Sequence, residues 1–198
     1  MKENFLYIFK FFAAASLFPA VIGTTAALLA GYSSFEASVR DMLQLGLGSY
    51  LFCRLFVYDF SHVYLFGQKV VASLCGFLKP LISTAPFVLP IYTLFVLLGY
   101  MLATAIGQIE TFRPFLLFLL SFTIVMHIVM TAGDLYAKDN VPGKPDYFFA
   151  MSLIYLVDIF LVALVSGLIL PGFSFPEFFR GMVDKSADVY LKIFRQLF

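Results

Sequence analysis

Stretches of about twenty apolar residues, the length a helix needs to cross the hydrocarbon core of a bilayer, recur along this chain from Phe5 to Leu170. A water-soluble fold of 198 residues cannot bury them all. The chain is 62% hydrophobic and 13% charged, where a soluble domain carries about 25% charged residues. Composition and pattern together predict an all-α integral membrane protein, a bundle of about five transmembrane helices. The expected spans cover about residues 5–30, 42–66, 81–106, 114–133 and 147–170. They leave no room in this length for a sizeable soluble domain, so any activity is expected in the bundle or on short loops.

Local signals refine this outline. "FFAAAS" in the first span resembles the end of a signal peptide, but the apolar run continues, which predicts a retained span kinked at Pro19. Gly67 to Lys79 is too short to cross and predicts a re-entrant or interfacial piece. Pro86 and Pro90, one turn apart, predict an interrupted third span. "DLYAKDNVPGKPD", Asp134 to Asp146, reads as a polar connection. From Pro176 to Phe198 the period changes: Phe179, Met182, Val183, Ala187, Tyr190, Ile193, Phe194 and Leu197 recur at helical spacing opposite charged residues. That pattern predicts an amphipathic C-terminal helix lying on the membrane or on a partner. The net charge of +1 with no basic cluster argues against nucleic acid. The expected partners are the lipid bilayer and a membrane protein or a second copy of the chain. Lysines on the short connections favour a cytoplasmic N-terminus.

Ionisable residues inside the expected spans are expensive and therefore informative. At 100° per residue, Arg54, Tyr58, Ser61 and His62 share one face of the second span, with Asp59 at its edge. The fourth span places Thr123, His127 and Thr131 four apart, and Asp134 continues the line. The fifth holds Asp158 near its middle. Two readings stand side by side. The cluster is polar glue, with Asp59 paired to His62, Arg54 to Asp158, and the threonines bonded to their own carbonyls; or it is a metal, proton or substrate site.

The order of these features resembles the site-2-protease-like membrane zinc metallopeptidases, in their uncharacterised bacterial branch. "YDFSH", Tyr58 to His62, sits where such a protein carries His-Glu-x-x-His. "STAPFVLPIYTLF", Ser83 to Phe95, is similar to their Ala-Pro-[Tyr/Phe]-x-x-Pro-x-Tyr-Thr stretch, "FTIVMHIVMT", Phe122 to Thr131, to their Phe-His-x-x-x-Thr region, and "YFFAMSLIYLVDIF", Tyr147 to Phe160, to the span that follows. The resemblance implies zinc chemistry and a bacterial inner membrane. The residues depart from it. Zinc needs neutral imidazoles at i,i+4 and a Glu to take a proton from bound water. Here Tyr58, a phenol, replaces the first imidazole, and the shorter Asp59 stands at the Glu position. This predicts a catalytically degenerate protein without cofactor, serving as a binding or scaffold subunit of a membrane complex. Two alternatives accompany it. One is an active zinc metalloprotease with atypical ligands His62, His127 and Asp158, or Asp134, and with Asp59 as catalytic base. The other is a small proton- or ion-linked transport component using Arg54, Asp59, His62, His127 and Asp158.

Overall fold

The computed structural model describes residues 2–74, 85–139, 145–170 and 172–197. Among them the chain forms eight helices and no strand: α1 Lys2–Ser33, α2 Ala37–Phe56, α3 Ser61–Leu74, α4 Ala85–Val88, α5 Ile91–Ala105, α6 Ile109–Asp139, α7 Pro145–Ile169 and α8 Phe175–Leu197. Three stretches are long and apolar enough to cross a membrane: Phe11–Ser33, Ile109–Ala137 and Tyr147–Ile169. The protein is therefore all-helical with membrane-spanning character. α5, with 15 residues, reaches only about 22 Å at 1.5 Å per residue, short of a ~30 Å hydrocarbon core.

Several boundaries differ from the sequence expectation, each for a local reason. α1 runs from Lys2 to Ser33 with Pro19 inside it, longer at both ends than the expected 5–30. The expected span 42–66 is not one helix, because α2 stops at Phe56 and α3 starts at Ser61. The expected span 81–106 divides at Leu89–Pro90, where Pro90 has no N–H to give and the Ile91 N–H turns back to the Leu89 carbonyl at 2.9 Å. α5 closes on Gly107, at φ 71°, with the Gln108 N–H bonded to the Ala103 carbonyl at 2.9 Å, a left-handed cap that glycine adopts without a Cβ clash. α6 extends beyond the expected 114–133 at both ends. Pro114, in the second turn, has no N–H to give to the Glu110 carbonyl, yet the helix continues through it, and Asp134 to Asp139 contain no breaker, so the expected polar loop begins as helix. The expected re-entrant piece enters as the second half of α3, through Leu74; 75–84, and with it the Lys79–Pro80 boundary, lies outside the described residues.

The chain divides into two compact units, Phe35–Thr131 and Met1–Ser34 with Ala132–Phe198. In the first, α2, α3, α5 and α6 meet around Tyr50, Tyr64, Met126 and Met130, with Phe60, Tyr92 and Phe122 packed against them. Glycines permit the close approaches. Gly46 of α2 lies against the Phe118 backbone of α6, and Gly67 of α3 against the Tyr92 ring of α5.

In the second unit, α8 runs antiparallel along α1. Phe173 lies beside Gly31, Gly181 beside Ala27, Ser186 beside Gly23, and the Tyr190 hydroxyl donates to the Ser16 carbonyl. The Lys185 ammonium donates to the Ala26 carbonyl at 2.7 Å. α7 is tied to α1 by the Thr25 and Tyr155 hydroxyls, 3.0 Å apart. The apolar residues Phe179, Val183, Tyr190, Ile193 and Phe194 of α8 are exposed. The helix is thus amphipathic as expected, but it lies lengthwise on its own chain through a face of small and mixed residues.

Candidate functional site

The stretch Tyr58 to His62 is a turn. The Cys53 carbonyl accepts from the N–H groups of Val57 and Tyr58 at 2.9 and 2.8 Å, which closes α2. Asp59 then opens α3: its Oδ1 accepts the Ser61 N–H at 3.1 Å and the Ser61 hydroxyl at 2.7 Å. Short polar side chains compete for backbone donors in this way and so interrupt helices. Arg54, in the last turn of α2, reaches the same carboxylate oxygen at 3.0 Å, a cation at a helix C-terminus and an anion before an N-terminus, each favourably placed. The Ser61 hydrogen bonds, then the Arg54 guanidinium, hold the Asp59 carboxyl below the ordinary carboxylate range. The side chain remains mostly in contact with the surroundings, 62% exposed.

This corrects the expected helical face. Tyr58 and His62 are not one turn apart on a helix, because Tyr58 precedes α3 and His62 lies in its first turn. Both are exposed, and Asp59 is engaged by Ser61 and Arg54. The residues present at this position do not fit a zinc ion held by i,i+4 ligands with a carboxylate free to accept a proton from water. Among the described residues no three His, Cys, Asp or Glu side chains gather as a metal-holding group.

A second polar constellation lies along α6. Thr123, Met126, His127, Met130 and Thr131 form one buried face of α6, at the i, i+3, i+4 spacing of a helix. His127 is 5% exposed, and its ring lies 6.3 Å from that of Tyr64. The Tyr64 and Thr131 hydroxyls are 2.8 Å apart. Thr93 of α5 donates to Thr123 at 3.1 Å, while Thr123 donates to the Leu119 and Leu120 carbonyls behind it. The Tyr92 hydroxyl donates to the Val63 carbonyl at 2.5 Å. Between Tyr64, Gln68, Thr123, His127 and the Leu89–Pro90 break lies a cavity of about 10 Å³, room for one water. Chemically this is an interhelical hydrogen-bonded seam, with neutral hydroxyls satisfied across helices in apolar surroundings.

The structure thus joins Arg54 to Asp59, and gathers Thr123, His127 and Thr131 into one seam. Asp134, half-buried on α6, and Asp158, 3% exposed on α7, belong to the other unit. Tyr64, Thr93, Tyr92 and Gln68 complete the seam and escaped the sequence reading. Tyr64, Gly67 and Val71 are the buried residues of α3, at i, i+3 and i+7, a stripe that becomes visible once the helix phase restarts at Ser61. No family model matches this chain, and neither a curated protein nor a solved structure matches it.

Proposed function

We propose that this chain is a catalytically degenerate, site-2-protease-like membrane protein that acts as a binding or scaffold subunit of an assembly in a bacterial inner membrane. The observation that carries the reading is the fate of the motif. The carboxylate at the place of the catalytic Glu serves to start α3, through Ser61, and to close the turn, through Arg54. The imidazole that remains stands on the far side of a helix break. The buried polar residues of α6 support the same reading, since their hydroxyls are used between helices. In this proposal the five crossings are α1, α2, the α4–α5 pair, α6 and α7. α2, with 20 residues, extends about 30 Å, the thickness of the hydrocarbon core.

The test has two arms. Protein purified without chelators is analysed for metal, and a single-span substrate is co-expressed with the parent and with Asp59→Ala. The expected result is no stoichiometric zinc and identical substrate bands. One zinc per chain lost with His62→Ala, or cleavage by the parent alone, overturns the non-catalytic reading. Native electrophoresis of membranes extracted in mild detergent tests the subunit reading. The chain is expected in a discrete species larger than the monomer, and migration as a monomer alone overturns that part.

A further inference from the structure

In the unit formed by α1, α7 and α8, an apolar groove of about 600 Å³ opens between the three helices. Ala20, Leu156, Val157, Phe160, Val183 and Ala187 form its hydrocarbon walls. The polar atoms at its edge are turned elsewhere: Thr24 is buried, the Tyr190 hydroxyl donates to the Ser16 carbonyl, and Ser186 is pressed against Gly23. We propose that this groove is a binding site for a single acyl chain of a membrane lipid.

Three observations select that occupant. The α1 and α7 walls lie within stretches long and apolar enough to cross a membrane, so the medium at the groove mouth is hydrocarbon. No charged residue lines the groove, and Asp184, Asp188 and Arg195 leave α8 from the opposite flank at 100° per residue. The extent is that of a lipid chain: along α8 the groove is an elongated open slot from Met182 to Tyr190, about 12 Å long at 1.5 Å per residue. The volume also falls in the range of ligand pockets, about 300–1,000 Å³. Small side chains make the site: Ala20 and Ala187 leave the space that larger residues would fill.

The experiment uses the full chain in nanodiscs of phosphatidylcholine and phosphatidylglycerol, doped with a phospholipid carrying a diazirine midway along one tail. After irradiation, adducts are mapped by mass spectrometry, and native mass spectra count retained lipid. Adducts are expected to concentrate on Met182, Val183, Ala187 and Leu156, with one lipid surviving gentle detergent removal. Ala187→Phe, at an exposed position that tolerates a larger side chain, is expected to lose both signals while keeping the parent's helix content. Adducts no denser than on the exposed Leu55 and Phe56 of α2, or unchanged in Ala187→Phe, overturn the site. A photo-cross-linker at Val183 that joins the chain to a second copy or to another protein, in place of lipid, overturns it equally.

Discussion

Gly46 and Gly48 lie two residues apart on α2 and face different surroundings, which makes them a matched pair for testing how the bundle is held. An added Cβ at Gly46 would stand 3.1 Å from the Phe118 carbonyl carbon and the Phe122 nitrogen, and nearer still to the Phe118 oxygen, inside the 3.0 Å that Cβ contacts respect. At Gly48 it would meet nothing within 4 Å. The obstacle at Gly46 is backbone, which cannot rotate aside as a side chain can, so α2 and α6 must part by roughly 1 Å to reach an ordinary ~3.5 Å contact. Overpacking of this kind costs about 1–3 kcal/mol, and the rigid obstacle argues for the upper end. Alanine's better helix propensity returns about 1 kcal/mol, leaving a net loss of about 2 kcal/mol for Gly46→Ala. For a chain of this size that lowers the melting temperature by about 4–8 °C. Gly48→Ala keeps only the propensity gain and is expected to melt at or slightly above the parent. Thermal unfolding in detergent, followed by circular dichroism, reads both. Equal melting of the two variants, or a more stable Gly46→Ala, would refute the claim that backbone contact at Gly46 sets the α2–α6 spacing.

The same logic extends to the other contacts. Thr131→Val removes the partner of the buried Tyr64 hydroxyl, and a double-mutant cycle with Tyr64→Phe is expected to give a coupling of about 0.6–1.7 kcal/mol, as for hydrogen bonds between membrane helices; zero coupling would deny the bond. The Asp59 carboxyl is held below its ordinary range by Ser61 and Arg54, so its support of α3 is complete above the carboxylate range of about 4 and is lost as pH falls through the lower folded value. Amide exchange in the first turn of α3 should therefore accelerate on acidification in the parent and be fast at all pH values in Asp59→Ala; a parent whose first turn ignores acid would remove this role. At Gly23 an added Cβ would run into the backbone of Ser186, so Gly23→Ala is expected to loosen α8 from α1 and to speed trypsin cleavage after Lys185 and Lys192. Unchanged digestion would mean that α8 is held by something other than this contact.

The parts of the structure that were legible in the sequence are those fixed by composition and by period within one helix. The apolar runs announced α1, α6 and α7, and the spacing of Thr123, His127 and Thr131 placed them on one buried face of α6. The second span is where a helical period carried through Asp59 fails, since α2 ends at Phe56 and α3 begins at Ser61. The signal against it was present in the chain: an Asp two residues before a Ser, able to bind that residue's N–H and hydroxyl together, after Val57 and Tyr58, whose β-branched and aromatic side chains favour helix weakly. Once the phase restarts at Ser61, Tyr64 and Gly67 fall on the buried face, and the seam with Thr131 and Tyr92 follows. The partners themselves were not legible. Tyr64 and Thr131 are 67 positions apart, and nothing local states which hydroxyl another will meet.

The docking of α8 shows why packing inside apolar surroundings resists prediction from hydrophobicity. In water the apolar stripe through Phe179, Val183 and Ile193 would be driven into contact, because burial removes it from solvent. Wherever a helix lies beside lipid tails that drive vanishes, and what remains is the closeness of approach that small residues permit. α8 meets α1 through Gly181 and Ser186, against Ala27 and Gly23, and buries Phe178 while Phe179, Val183, Ile193 and Phe194 stay exposed. The groove at Ala20 and Ala187 follows from the same packing: helices joined by their smallest residues have space between them wherever a small residue faces no partner, and the proposed acyl chain is what would fill it.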